Sequence, residues 1–255
     1  MKVSRCFLPL VLFSLLTAGH SLAADSVADV VAKARASVGS ETVLNSLKSI
    51  HYVGTLETVE ATPEGPKTNK FKVELIYQKP FRSRIIITTE KKIEITALDD
   101  YEAWQRQQDP KDKDNWVVTL MPPAQVKSLR ANTWESLAFF GGAENADIQV
   151  EDRGVVDVDG VKCRKLAFIH DEGIFFIHYF STDTGRLMLT ETDQGAKVHE
   201  TGEIKTGGLR LAKQYITTNL LSDGKNRVVT MTFDQITLNE NFAPDLFQVP
   251  TVQLK

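Results

Sequence analysis

Few residues in this chain could carry chemistry, and none is spaced to assemble a site locally. Once an export segment is set aside, four histidines remain, His51, His170, His178 and His199. Each stands alone in a strand-like stretch with no second ligand at zinc spacing, so no metal site is expected. His170-Asp171-Glu172 has a turn-like composition and lacks the helical pairing of a metalloprotease motif. Cys163 falls mid-strand rather than at an exposed turn or helix N-terminus, where a thiolate would be stabilised. The chain contains neither a Gly-x-Ser-x-Gly elbow nor a Gly-rich phosphate loop opening a helix. Neither a cofactor nor a catalytic residue is therefore expected. An enzyme would need its acid, base or nucleophile gathered from distant strands, with His170 and His178 as the remaining material.

What the sequence offers instead is apolar surface. Gly173-Ile174-Phe175-Phe176-Ile177-His178-Tyr179-Phe180 reads as a strand with two apolar faces. A half-solvated antiparallel strand alternates, so both sides of this one must be covered. Either it is packed as core on both faces or one face lines a cavity for a greasy ligand. Phe175, Ile177 and Tyr179 are expected on the inward face, because His178 makes the alternate face the wetter one.

The elements that would position such a cavity follow from the pattern. Lys2 and Arg5, an apolar run from Phe7 to Ala18 and Ser21-Leu22-Ala23-Ala24 have the charged, apolar, small-residue order of a cleavable export signal over residues 1–24. Cys6 precedes the apolar run, so no lipid anchor is expected at the cut, and the remainder, residues 25–255, is read as one domain in the periplasm. Without Lys2 and Arg5 the 30 basic residues fall to 28 against 33 acidic ones, a net charge of −5 with no basic block. Nucleic acid and anionic membrane surfaces are thus poor partners. Cys163 is then the one cysteine left, and no intrachain disulfide can form.

Val27, Val30, Val31, Ala34 and Val38 recur at helical steps after Asp25 or Ser26, and a second short helix is expected from Ser40 to about Leu47. From Ile50 the period changes to two. Strands alternate with turns as far as Leu120, with loops expected at Ala61 to Lys70 and Asp109 to Asn115. Met121-Pro122-Pro123 then stops the strand, and Val126, Leu129, Thr133, Trp134, Leu137 and Phe140 return to helical spacing until Gly141-Gly142. A single amphipathic helix between two runs of strands must lie across the sheet to hide its stripe. Strands resume at Ile148 and continue to Leu238, including Lys197 to Lys205 and Leu209 to Leu221 as single strands, before an irregular tail with one turn at Pro244 to Phe247. Roughly eleven strands are expected, which is near the limit at which one open sheet begins to curl.

This order of parts, with the ending Asn239-Glu240-Asn241-Phe242-Ala243-Pro244-Asp245-Leu246-Phe247-Gln248-Val249-Pro250, resembles the LolA-like superfamily of outer-membrane lipoprotein-sorting proteins over essentially the whole chain beyond residue 24. The resemblance implies a mainly β fold with helices, an incomplete antiparallel barrel covered by a lid, enclosing an apolar cavity for acyl chains. It also implies a lipidated protein or lipid as cargo, an inner-membrane donor and an outer-membrane acceptor. Trp134, Leu137 and Phe140 would form the underside of the lid. In these carriers an Arg before a Pro at the end of an early strand holds the lid closed. The matching place here is Lys79-Pro80, where Lys keeps the charge but lacks the planar fork, so Arg82 or Arg84 becomes the substitute. A non-catalytic sensor or peptide-binding module on the same scaffold is the other reading.

Overall fold

A computed structural model of the 255-residue chain describes residues 25–62, 65–141, 147–221, 224 and 226–251. Residues 1–24, read from sequence as an export segment, and Gly142 lie outside these residues. Ser26 begins helix α1, Val27–Val38, through a reciprocal bond pattern with Asp29 that satisfies two end donors. Ser40 caps α2, Glu41–Ser46. Six strands follow: β1 (Ser49–Thr62), β2 (Gly65–Gln78), β3 (Arg82–Thr88), β4 (Ile93–Asp99), β5 (Glu102–Asp109) and β6 (Asp112–Leu120). Then come α3 (Pro123–Ala138), β7 (Gln149–Val158), β8 (Val161–Asp171), β9 (Ile174–Ser181), β10 (Leu187–Thr192) and β11 (Lys197–Thr201). The chain continues with β12 (Ile204–Thr206), β13 (Leu209–Leu211), β14 (Gln214–Leu220), β15 (Asn226–Leu238) and a 3-10 turn at Pro244–Leu246.

Thirteen strands form one antiparallel sheet in the order β6-β5-β4-β3-β2-β1-β15-β14-β11-β10-β9-β8-β7. The first strand pairs with the last, so the two meanders join at the centre and β6 and β7 become the open edges. Helix α3 connects those edges. It packs against β2, β3, β4 and β5 on one side and bonds to β8 and β9 on the other. Strands so far apart in the sheet can meet one helix only if the sheet curls around it. The result is a curved sheet not closed into a barrel.

Two apolar clusters pack under the helices. Leu44 and Leu47 from the α2 region and Leu137 of α3 pack with Ile50, Tyr52, Val73, Leu75 and Phe233. Val30, Val31 and Ala34 of α1 pack on Leu166, Phe168 and Phe180. Burying each such side chain contributes about 1.5–3 kcal/mol, which holds the short helices down more than their own propensity does.

Four details depart from the sequence expectation. The loop at 61–70 is replaced by a long β1–β2 hairpin whose register runs out to Thr62 opposite Gly65, and the Asp109–Asn115 loop contracts to the turn between β5 and β6. The spans 197–205 and 209–221 each break in two. Gly202 turns with φ 65°, and β12 and β13 leave the main sheet as a separate pair whose Leu209 and Leu211 join the core under α1 and α2. Thus the expected eleven strands become thirteen plus two. Finally, α3 ends at Ala138, because Phe139 and Phe140 turn left-handed at φ 44° and 66°.

Candidate ligand-binding site

Helix α3 divides the interior into spaces of different character. On the α1–α2 side a cavity of about 590 Å³ is lined by Val31, Arg35, Leu44, Lys79, Trp134 and Leu137. On the other side a groove of about 460 Å³ is lined by Phe81, Met121, Val126, Trp134, Ile148 and Ile174. Trp134 belongs to both, and its ring stacks on Phe81 at 5.8 Å, so the indole is a shared wall. Both volumes fall in the range of roughly 300–1,000 Å³ typical of small-molecule sites. Beneath α3, on the concave floor of the sheet, a hollow of about 250 Å³ is lined by Tyr52, Tyr77, Phe140, Phe176, Glu200 and Tyr215.

The sequence-expected lining residues divide among these spaces. Trp134 and Leu137 line the larger cavity, Leu137 from within the core at 2 % exposure. Phe140 lines the hollow, although it has left the helix; its ring packs edge-on against His178 and Phe180 at 5.2 and 4.7 Å. The choice of faces on β9 is reversed. Register pairs Leu166 with His178 and Phe168 with Phe176, so Ile174, Phe176, His178 and Phe180 face the helices. Phe175, Ile177 and Tyr179 face the other way. There Ile177 and Tyr179 pack with Val158, Cys163 and Leu189, and the Tyr179 hydroxyl donates to Glu191 at 2.7 Å.

His178 faces inward because its ring nitrogens are satisfied there. Nε2 lies 2.9 Å from Glu135 Oε2, and Nδ1 lies 3.0 Å from the Thr190 hydroxyl. His170 Nε2 contacts the other oxygen of the same carboxylate at 2.6 Å. The pattern fits two rings donating through Nε2, with Thr190 donating to His178 Nδ1. Desolvation pushes the Glu135 carboxyl up, but the bonds from His170 and His178 more than offset it and hold its pKa at about 2. The two histidines, isolated in sequence, therefore share one carboxylate on α3. A carboxylate, imidazole and hydroxyl in line form the skeleton of a nucleophile relay. Here the His178 ring is enclosed by Phe140, Phe168, Phe176 and Phe180, and its bonds fasten α3 to β9. His51 is likewise held, between Glu74 at 2.9 Å and Glu240 at 2.6 Å. Among the described residues no group of His, Cys, Asp or Glu side chains is arranged to hold a metal ion.

The expected lid cations are engaged elsewhere. Arg82 pairs with Asp99 at 2.8 Å, and Arg84 donates to the Leu246 carbonyl at 2.5 Å while lying over Trp104. Lys79 lines the larger cavity, and desolvation together with the charge of Arg35 lowers its pKa. The residue that ties the helices together is Arg35 of α1, which the sequence did not single out. Its Nη1 donates to the Ala138 and Phe139 carbonyls at 2.7 and 3.0 Å, and its Nε and Nη2 grip both oxygens of Glu41 at 2.7 Å. One guanidinium thus joins α1, α2 and the end of α3. The fork geometry is what a Lys at this place would lack.

No protein-family model and no curated protein matches this chain. Solved structures do. A DUF1329 family protein from Desulfovibrio piger superposes with a TM-score of 0.55 at 10 % identity, covering 88 % of this chain and 98 % of its own. A LolA superfamily protein from Nitrosomonas europaea gives 0.55 at 12 %, covering 83 % and 98 %. Its fold is LolA-like. A putative outer membrane lipoprotein-sorting protein domain from Vibrio parahaemolyticus gives 0.55 at 9 %, covering 86 % and 94 %. The LolA-like likeness extends over nearly all of each neighbour and, at these identities, concerns the fold.

Proposed function

We propose that residues 25–255 form a single non-catalytic LolA-like half-barrel that carries acyl chains of a lipidated protein or a lipid across the periplasm, from an inner-membrane donor toward an outer-membrane acceptor. The observation that carries this reading is the pair of cavities on either side of Trp134, mostly apolar in lining with charged side chains such as Arg35, Lys79 and Arg130 among it, and roofed by helices whose ends are joined through Arg35. Acyl chains offer no hydrogen bonds, so their site needs apolar lining and shelter rather than placed polar groups. Each methylene sheltered contributes about 0.8 kcal/mol, which lets a few chains offset the cost of leaving a bilayer. The export-signal pattern of residues 1–24 supports the compartment, and no helix among the described residues is long and apolar enough to cross a membrane.

The test is the lipid content of the protein. Full-length chain expressed in a Gram-negative host and purified without detergent is expected to show bound lipid in native mass spectra and in solvent extracts. Trp134→Ala, which removes the wall common to both cavities, should lower the retained amount several-fold. Spectra of bare protein from the unmodified chain would overturn the carrier reading. The edge strand β6, with Val117 and Leu120 exposed at 67 % and 60 %, favours a second reading. It could accept an added strand from a partner protein, as in a sensor or peptide-binding module. In that case Val117→Pro would abolish partner capture while leaving lipid content unchanged.

A further inference from the structure

The sheet ends in two open edges, and they are not alike. Along β7 the pairing with β8 slips between Asp152 and Val155, Gly154 turns with φ 86°, and Glu151, Asp152 and Arg153 put charge on the strand. A bulge and charged side chains are how an edge is kept from taking another strand. β6 has neither from Trp116 to Leu120, where its register with β5 runs without a shift. The Met121 N–H bonds back to the Ala103 carbonyl, and the bonding of an antiparallel pair alternates along the strand. The N–H and C=O groups of Trp116, Val118 and Leu120 therefore point away from the sheet. Arg106 of β5 stands beside them, opposite Val118 on one side and Ile95 on the other, on the face that carries Trp104 and is turned away from α3. Its guanidinium lies 5.7 Å from the Trp116 ring centre, so it leans from β5 toward the open edge. Its neighbours by register on that face, Ile95, Trp104, Gln108, Trp116 and Val118, are all uncharged. Arg106 makes no hydrogen bond or ion pair with any described residue, and its Nε is buried without an acceptor. The charge that it meets across β4 is Arg84, a second cation whose Nε also lacks an acceptor.

We propose that the β6 edge receives an extended segment of a partner protein that carries a carboxylate, Asp or Glu, on the face beside Arg106 and apolar side chains at the alternate positions. The inference rests on the second reading above, strand addition at β6, and adds the chemistry of the partner. A residue bonded to Val118 from the outside shares its face, and so lies on the side of Arg106. There a carboxylate gives the guanidinium the acceptor it lacks and offsets its repulsion from Arg84. The residues before and after it turn to the other face, where Val117 is exposed at 67 % and an apolar side chain covers it. Asp112 and Asp114 lie at the turn end of β6, past the last regular pair of Trp116 with Gln108. They repel a second acid at that end, which fixes the register of the partner. A basic segment would meet Arg106 as a like charge.

Blocked octapeptides alternating Thr and Val, with Glu, Gln or Lys at one central Thr position, test this when titrated calorimetrically into the full-length protein. The Glu peptide is expected to bind about fivefold more tightly than the Gln peptide and about tenfold more tightly than the Lys peptide. The chain is net negative, so unspecific attraction would give the reverse order. Arg106→Gln should bring the Glu and Gln peptides within about twofold of each other, and Arg106→Lys should keep part of the preference. In the unmodified protein the amide protons of Trp116, Val118 and Leu120 should exchange more slowly with any peptide bound. The Arg106 Nε resonance should shift with the Glu peptide and not with the Gln peptide, a readout that holds even if the variants do not fold. Equal binding of the Glu and Gln peptides, or a preference that survives Arg106→Gln, overturns the inference, while slowed exchange along β6 keeps strand addition in place. No binding by any of the three, with exchange along β6 unchanged, overturns strand addition as well and leaves the lipid carrier reading standing.

Discussion

Glu135 shows what one side chain does when a sheet wraps a helix from both sides. On an isolated amphipathic helix it would sit on the wet face, opposite Val126. In the curled sheet that face meets β8 and β9, and its carboxylate is only 12 % exposed. His170 and His178 were visible in the sequence as polar residues in strands, but their partner was not, because the pairing needs the sheet's curvature. Replacing Glu135 with Ala would leave both ring donors facing a void, at a cost of about 3 kcal/mol or more. The pH dependence has a definite sign. A carboxyl held at about 2 against an ordinary 4.5 contributes stability that is fully present above the unfolded value and is lost as pH falls toward the folded one. Urea unfolding between pH 6 and pH 2.5 should therefore show stability dropping by roughly 3 kcal/mol, mostly below pH 4.5. Glu135→Gln should flatten that part of the curve while starting lower at pH 6. Parallel acid limbs in the two proteins would assign the acid sensitivity to other carboxylates.

At the level of elements, period and punctuation made most of the fold legible. Asp25 or Ser26, of which Ser26 is the cap, and Ser40 announced the helix starts, and the change from helical to alternating spacing placed β1 and α3 within a few residues. Less was visible where tertiary contact overrides local pattern. Phe140 keeps the helical spacing in sequence yet lies beyond α3, because the Phe139–Phe140 reversal brings its ring onto Phe180. That reversal leaves carbonyls at the end of α3 without helical partners, and Arg35 donates to two there, those of Ala138 and of Phe139 just past the helix. Its positive charge also suits the negative end of the helix. Arg35→Lys preserves the charge and removes the fork, so the C-terminal half of α3 should open more readily while the central strands stay closed. Hydrogen exchange is expected to quicken by about tenfold in residues 131–138, equivalent to about 1.4 kcal/mol, with β1 and β15 unchanged. Lipid should leave the variant faster for the same reason. Unaltered exchange in α3 would mean that packing of Leu137 alone holds the helix in place.

For the molecule as a whole, the sheet must be covered on its convex side as well, and the C-terminal tail does this. The two-faced strand β9 could not reveal which side was which, since its odd and even residues are both apolar. Nor could the irregular tail disclose its role, having no periodicity to read. In the structure Phe247 is fully buried, and its carbonyl accepts the Trp104 indole N–H at 2.8 Å. Arg84 holds the neighbouring Leu246 carbonyl, and Val249 packs with Ile95, Ala97 and Trp104. Around the bend, Phe242 lies against both His51 and Phe247. The tail therefore fastens β1, β3 and β5 from behind while the helices cover them in front. Phe247→Ala should cost about 3–5 kcal/mol through the cavity it leaves, or about 10 °C in melting temperature for a chain of this size. Trp104 is 1 % exposed in the intact protein, so loosening the tail should also move its emission toward that of a wetted indole. If stability falls as expected but the emission does not move, the rest of the tail still seals Trp104 and the carbonyl bond, rather than the Phe247 ring, is what keeps the convex side closed.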